Sequence, residues 1–262
     1  MSEISKINRI SKAFEGKKAL IAFITGGDPD METTEKLVLA LEGAGVDMVE
    51  IGIPFSDPVA EGPVIQAAHR RALEGGCTVD KLFDTAKRLR AKTKTELPLL
   101  FMTYANPVYS YGKDSFMAKC EDSGIDGIIV PDLPFEEKDE FEAECDRHGI
   151  CLISLVAPTS GDRIEMIARE AKGFLYCVSS LGVTGVRDSI DESTLEFVQK
   201  AKQYSPVPCA VGFGISTPGQ VKAVSAIADG AIVGSAVVDL VAKFGGESPG
   251  PVKKFIGELK LK

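Results

Sequence analysis

The chain has 262 residues, of which 44% are hydrophobic and 26% are charged, and it contains 26 glycines. This composition is typical of a soluble α/β protein and excludes the collagen-like, disordered and membrane-embedded classes. Acidic residues outnumber basic ones by 38 to 30, and the net charge is −8. Because no block of Lys or Arg stands out, we expect neither nucleic acid nor an anionic membrane as the main partner, and any phosphate site must be local.

The cysteines and the N-terminal segment indicate a cytoplasmic protein. The six cysteines are scattered without a C-x-x-C pair, and residues 2–17 alternate charged and apolar positions instead of forming the apolar core of a signal peptide. No apolar run approaches the roughly 20 residues of a membrane span. We therefore expect buried, reduced thiols. With only His69 and His148 available, a histidine metal site or a Ser-His-Asp triad is not expected either.

Short β-branched runs alternate with longer amphipathic stretches along the whole chain. Strands are predicted near 18–25, 47–53, 97–104, 125–131, 151–156, 173–179, 208–213 and 229–234. Helices are predicted near 4–14, 31–44, 62–74, 78–93, 114–122, 135–147, 161–171, 191–203, 217–226 and 249–260. Eight βα units without a linker predict one domain, 1–262, folded as an α/β (β/α)8 TIM barrel with an extra N-terminal helix. A doubly wound open sheet is the alternative, but residues 25–29 lack the G-x-G-x-x-G pattern that it would want.

The second predicted strand contains a carboxylate within an apolar run. Val49 and Ile51 share one face of this strand, whereas Glu50 shares the other face with Met48 and Gly52. If helices cover the aliphatic face, Glu50 points into the barrel beside a glycine that leaves room for a ligand. Burial would raise the pKa of Glu50 towards neutrality, as acid/base catalysis requires.

Loops at the C-terminal ends of barrel strands carry the active sites of this fold. Here those loops are 54–63, 104–112, 180–190, 213–219 and 234–238, and the ones after strands two and six are long enough to be lids. The first contains Glu61, which is either a solvated side chain or a catalytic one. Because no lysine lies within an apolar strand, Schiff-base chemistry is not expected.

Two further groups of residues point to a ligand. Gly212, Gly214 and the pair Gly234-Ser235 end strands seven and eight, and they form either tight turns or a phosphate site beside helix N-termini, which residues 182–185 could close from a third side. The side chains of Phe23, Met102, Tyr104 and Tyr176 describe either barrel packing or an apolar slot for a flat aromatic ligand.

Four motifs, at 51–58, 104–107, 182–185 and 212–216, resemble those of the tryptophan synthase alpha chain family, in the same order and within a likeness that runs from about residue 8 to 260. The resemblance implies a (β/α)8 lyase that cleaves indole-3-glycerol phosphate by a retro-aldol reaction to indole and glyceraldehyde 3-phosphate, without a metal or cofactor. It also implies an αββα complex with a PLP-dependent beta chain, with Pro54 and Asp57 at the interface.

Carried over by position, the resemblance assigns catalytic roles to Glu50, Glu61 and Tyr176. The same transfer gives the substrate-binding residues as Phe23, Met102, Ile129, Leu155, Thr184, Gly185, Phe213, Gly214, Gly234 and Ser235, and the strand-end residues Tyr104 and Gly212 complete the predicted set. Glu50 would move protons between the glycerol hydroxyl and indole C3, and the glycines with Ser235 would hold the phosphate.

The chain departs from the family pattern at two places. Glu61 stands where the family usually has an aspartate that holds the indole N–H, and Ser180-Leu181 replace a common Arg-Ala pair, so closure of the loop after strand six could be weaker. Two alternatives to a full lyase therefore remain. One is a subunit with a weakened site that mainly activates its beta chain, and the other is a different sugar-phosphate enzyme, an isomerase or epimerase.

Overall fold

Eight parallel strands close into a barrel in chain order in the computed structural model, which describes residues 9–93, 96–179, 192–212 and 214–260. The strands are β1 (Ala19–Thr25), β2 (Met48–Gly52), β3 (Leu99–Met102), β4 (Gly127–Ile129), β5 (Cys151–Val156), β6 (Leu175–Val178), β7 (Cys209–Gly212) and β8 (Gly230–Val233). β1 pairs with both β2 and β8, which closes the sheet. The predicted TIM barrel is confirmed.

Helices surround this barrel and cover the outer faces of the strands. They are α1 (Met31–Ala44), α2 (Pro63–Glu74), α3 (Val79–Thr93), α4 (Ala105–Tyr111), α5 (Lys113–Ser123), α6 (Asp139–Arg147), α7 (Arg163–Arg169), α8 (Glu192–Tyr204), α9 (Pro218–Ile227), α10 (Ser235–Phe244) and α11 (Pro249–Leu259). Most lie where the amphipathic pattern places them. A short 3₁₀ turn at Phe135–Glu137 replaces the start of the predicted helix 135–147, and a second one, at Pro158–Ser160, precedes the predicted helix 161–171.

Alternation along the strands sorts their side chains into two cores. The outer core, between sheet and helices, contains Val49 and Ile51. The inner core fills the barrel and contains Ile21, Met48 and Leu100. In register, Glu50 lies beside Phe23 on one side and beside Leu100 on the other. The predicted division of β2 into an aliphatic outer face and an inner face with Glu50 is confirmed.

The N-terminal segment closes the bottom of the barrel. Residues 9–12 are helical, and Ile10 and Phe14 belong to the inner core, whereas residues 4–8 of the predicted helix lie outside the described residues. Buried Asp126 fastens this segment, because its carboxylate accepts hydrogen bonds from Arg9 Nε at 2.7 Å and Arg90 Nη2 at 2.6 Å. One face of the barrel is thereby sealed, and the opposite face remains for a site.

Two predictions about elements were wrong. Residues 105–111, expected as loop, form α4, because Pro107 lies in the first helical turn, where its missing N–H is not needed. Residues 235–244 form α10, which the sequence analysis did not predict. The valines of α10 follow the apolar residues of β8 with only Gly234 between them, so the sequence shows no clear change from strand to helix.

The cysteines agree with a further expectation. All six cysteines are buried and free, as predicted. Among the described residues, none of the helices combines the length and the apolar character required to cross a bilayer.

Candidate active site

Glu50 lies in the middle of the barrel with no exposed surface. Neither carboxylate oxygen has a hydrogen-bond partner within the described part of the chain. Burial raises the pKa of Glu50 to about 8, because an unpaired carboxylate loses its hydration when the barrel closes around it. At neutral pH the side chain is therefore mainly a protonated acid that can donate a proton and then take one back.

Tyr176 lies on the inner face of β6 and is packed against the inner core. Burial, and then the charge of Glu50, raises the pKa of its hydroxyl, so the phenol stays protonated. The absence of a side chain at Gly212 makes room for it, since a Cβ there would lie 2.5 Å from the Tyr176 hydroxyl oxygen. Gly212 thus positions Tyr176, a role that its assignment to the phosphate site did not include.

The apolar residues predicted to bind substrate meet at the upper part of the barrel. Met102 belongs to the same packed cluster as Ile129 and Leu155, and it also contacts a second cluster that contains Phe23. Ile65 of α2 packs on this second cluster, and the sequence analysis missed it. Ile65 lies four residues before His69, on the same helix face, and this spacing could have indicated that the two side chains face the barrel together.

The prediction that Gly52 leaves space for a ligand was wrong. A Cβ at this position would lie 2.7 Å from Cζ of Phe23, so the ring of Phe23 already occupies the space. The glycine therefore allows Phe23 to lie across β2, next to the strand that carries Glu50.

Glu61 lies in the loop between β2 and α2 and is bonded to Tyr104. The Tyr104 hydroxyl donates to the Glu61 carboxylate. The same oxygen accepts hydrogen bonds from the N–H groups of Val59 at 3.0 Å and Ala60 at 2.8 Å. Burial and the bond to Glu61 raise the pKa of Tyr104, so its hydroxyl keeps the proton that it donates. Tyr104 therefore fixes the loop and Glu61, a contact that its prediction as a substrate-binding residue did not anticipate.

The outer part of this loop is exposed in an unexpected pattern. Val59 is 80% exposed, although it is apolar, and Asp57 is also exposed. Pro54 is buried within the chain, and its place at an interface stays a prediction. The ring of Phe55 packs on Tyr104 with centroids 5.3 Å apart.

The N-termini of α9 and α10 differ in their capacity to bind an anion. Thr217 and Gln220 form a capping box on α9, and Gln220 Oε1 accepts from the N–H groups of Ser216 and Thr217 at 2.8 and 3.1 Å. The first turn of α10, after Gly234, has no side-chain cap. Free N–H groups and the helix dipole favour an anion at Ser235, so the predicted phosphate position has a physical basis there.

The remaining predicted residues are not all described. Thr184, Gly185 and Phe213, together with Ser180 and Leu181, lie outside the described residues. Gly214 has a φ of 71°, a left-handed conformation that glycine adopts without strain. Among the described residues, no group of three or more His, Cys, Asp or Glu side chains is arranged to hold a metal ion.

Known proteins resemble the chain over nearly its whole length. The family model for the tryptophan synthase alpha chain matches residues 10–256. The tryptophan synthase alpha chain of Halalkalibacterium halodurans is 50% identical over 257 residues, which cover 98% of this chain and 97% of that one. The corresponding protein of a Thermoanaerobacter species is 48% identical over 261 residues, or 97% of this chain and 99% of that one.

Solved structures agree with the sequence comparison. A chain from the tryptophan synthase a2b2 complex of Pyrococcus furiosus has a TM-score of 0.87 and 38% identity, covering 93% of this chain and 98% of that chain. The tryptophan synthase alpha chain of Legionella pneumophila has a TM-score of 0.86 and 35% identity, covering 96% and 95%. The chain therefore belongs to the tryptophan synthase alpha chain family.

Proposed function

We propose that this chain is a lyase that cleaves indole-3-glycerol phosphate into indole and glyceraldehyde 3-phosphate. The observation that supports this most is Glu50, an unpaired carboxyl in the barrel interior whose pKa is about 8. Groups that donate and accept protons near neutral pH work best when their pKa lies close to the working pH. Family membership supplies the identity of the substrate.

In the proposed reaction Glu50 acts first as an acid and then as a base. Its carboxyl proton goes to indole C3, and positive charge develops on the ring nitrogen. The resulting carboxylate takes the proton of the glycerol hydroxyl next to C3. As the C–C bond breaks, its electron pair returns to the ring, which releases indole, and the hydroxyl carbon becomes the aldehyde of glyceraldehyde 3-phosphate. The proton count balances, and Glu50 ends protonated as it began.

The surrounding groups would hold the two ends of the substrate. Phe23, Met102, Ile129 and Leu155 provide apolar surface for the indole ring, and the uncapped N-terminus of α10 at Gly234 and Ser235 provides N–H donors for the phosphate. The carboxylate of Glu61 would stabilise the positive charge at the ring N–H, and Tyr176 would border the reacting carbons.

A second candidate function is a subunit whose lyase site is weak and which mainly activates its partner. The contact between Glu61 and Tyr104 favours this candidate, because the carboxylate must leave a hydrogen bond, or share it, to reach a ring N–H. A direct assay separates the two. Indole release from indole-3-glycerol phosphate is measured for the isolated chain and for the chain with a tryptophan synthase beta chain. Release by neither preparation would overturn the lyase proposal.

We also infer that the partner is a PLP-dependent tryptophan synthase beta chain in an αββα complex. The relative from Pyrococcus furiosus was solved as an a2b2 complex. In this chain, exposed Val59 and Asp57 lie on the loop that also carries Glu61, so a partner that covers Val59 would contact the same segment as the site. A cytoplasmic location belongs to the same proposal and is supported by six free thiols.

A further inference from the structure

His69 contacts the start of the loop that carries Glu61, at Phe55, whose ring also packs on Tyr104. The N–H of Phe55, at the start of the loop, donates to Nδ1 of His69 over 3.4 Å. Tyr104 binds Val59, Ala60 and Glu61 at the end of the loop. The loop between β2 and α2 is thus held at both ends by side chains from two different elements.

The position of His69 is fixed by its own helix. The side chain is only 3% exposed and lies on α2, one turn after Ile65. Ile65 and Ala68 pack on the cluster that contains Phe23. The imidazole is therefore buried on the helix that contributes Ile65 and Ala68 to the lining of the proposed indole pocket.

The charged groups around the ring come from several elements. Glu61 faces it from the loop, and Asp28 faces it from the segment after β1. Asp28 is already paired with Arg71 of α2 through bonds of 2.7 and 2.8 Å, and Asp239 of α10 acts on the same guanidinium. Burial lowers the pKa of His69 more than the carboxylates raise it. The neutral ring accepts at Nδ1 and carries its proton on Nε2.

We propose that His69 is a positioning residue for Glu61, acting through the Phe55 N–H to hold the loop between β2 and α2 in the geometry that the proposed lyase reaction needs. The inference rests on the proposed function, since it assigns to Glu61 the role of charge stabiliser. Protonation of Nδ1 places two donors opposite each other, so the hydrogen bond from the Phe55 N–H is lost and the start of the loop keeps only the packing of the Phe55 ring on Tyr104.

Three substitutions at this one position separate the contact from the bulk of the ring. In His69→Asn the amide oxygen lies near the place of Nδ1 and can accept from Phe55. In His69→Gln the amide group reaches towards the place of Nε2, and in His69→Leu no acceptor remains. Thermal unfolding of each variant checks that it folds. If the Leu variant does not fold, the Gln variant still tests the proposal.

Two measurements are made on each variant. The first is kcat and KM for indole release with the beta chain present. The second is hydrogen exchange of the Phe55 amide, corrected for intrinsic rates. Loss of a hydrogen bond of ordinary strength corresponds to about a tenfold effect. We expect His69→Gln and His69→Leu to lower kcat by about tenfold with less than about a threefold change in KM, and to speed exchange by a similar factor.

The Asn variant is the matched control. We expect it to keep kcat and Phe55 protection within about threefold of the parent at pH 7, because its acceptor is retained. As the pH is lowered until the ring takes up a proton, the parent should lose protection of the Phe55 amide while the Asn variant keeps it, since an amide does not titrate.

The results distinguish this inference from the proposed reaction. If the Gln and Leu variants match the parent in both kcat and Phe55 exchange, the positioning role of His69 is overturned. If the parent itself releases no indole, the proposed function fails. The exchange data then still decide whether His69 holds the loop.

Discussion

Replacing Glu50 with glutamine should remove activity and at the same time stabilise the protein. The carboxyl is wholly buried, has no hydrogen-bond partner among the described residues, and has a pKa raised from 4.5 to about 8. The folded state therefore holds this proton more tightly than the unfolded state. Below pH 4.5 both states are protonated and the carboxyl carries no penalty. Between pH 4.5 and 8 the unfolded state ionises first, so stability falls as the pH rises.

The size of the effect follows from the same shift. Each pKa unit corresponds to about 1.4 kcal/mol, so the penalty is below about 1 kcal/mol at pH 5, about 3 kcal/mol at pH 7 and between about 4 and 5 kcal/mol at pH 8. Glutamine has nearly the same shape and does not ionise. The free energy of unfolding of Glu50→Gln should therefore exceed that of the parent by amounts that grow with pH in this way.

Urea unfolding of both proteins at pH 5, 7 and 8 measures this difference, and indole release measures activity. Glu258→Gln is a suitable control, because it makes the same chemical change at an exposed glutamate on α11, outside the barrel interior. A constant difference between the parent and Glu50→Gln across this range would refute the reasoning about burial. Indole formation above about a tenth of the parent rate would refute the acid/base role.

Four further outcomes are expected. Inorganic phosphate should compete with substrate at concentrations on the order of tens of millimolar, and Gly214→Val should raise KM and weaken this competition. If phosphate has no effect, the anion site lies elsewhere. Glu61→Ala should lower kcat by about 10²-fold, whereas Glu61→Asp should keep or raise it, and turnover of the Ala variant at the parent rate would make Glu61 a merely solvated residue. In Val59→Asp, titration with the beta chain should show weaker complex formation while the unfolding midpoint stays unchanged, because the side chain is 80% exposed. Asp126→Asn should cost about 3–5 kcal/mol of stability in urea unfolding, because it removes the buried carboxylate that pairs with both Arg9 and Arg90. A loss below about 1 kcal/mol would contradict the importance of this cluster.

The sequence by itself determined the barrel and the placement of its central carboxylate. Period-two alternation separates Val49 and Ile51 from Glu50 wherever helices cover one side of a sheet, so the orientation of Glu50 and its raised pKa followed from local pattern and desolvation alone. The start of α9 depends on equally local features, because the Thr217 hydroxyl caps the helix and Pro218 is its first residue.

Contacts between distant segments were decided only by the tertiary structure. The filling of the space at Gly52 by Phe23, the room that Gly212 gives to Tyr176, and the bond between Glu61 and Tyr104 each join residues from different βα units. The pattern of apolar and polar residues along one strand or helix does not indicate which side chain of another strand or loop will lie beside it. The same holds for His69, because the sequence alone indicates only a polar residue on a helix. The packing of the loop after β2 onto α2 brings this side chain next to the Phe55 N–H.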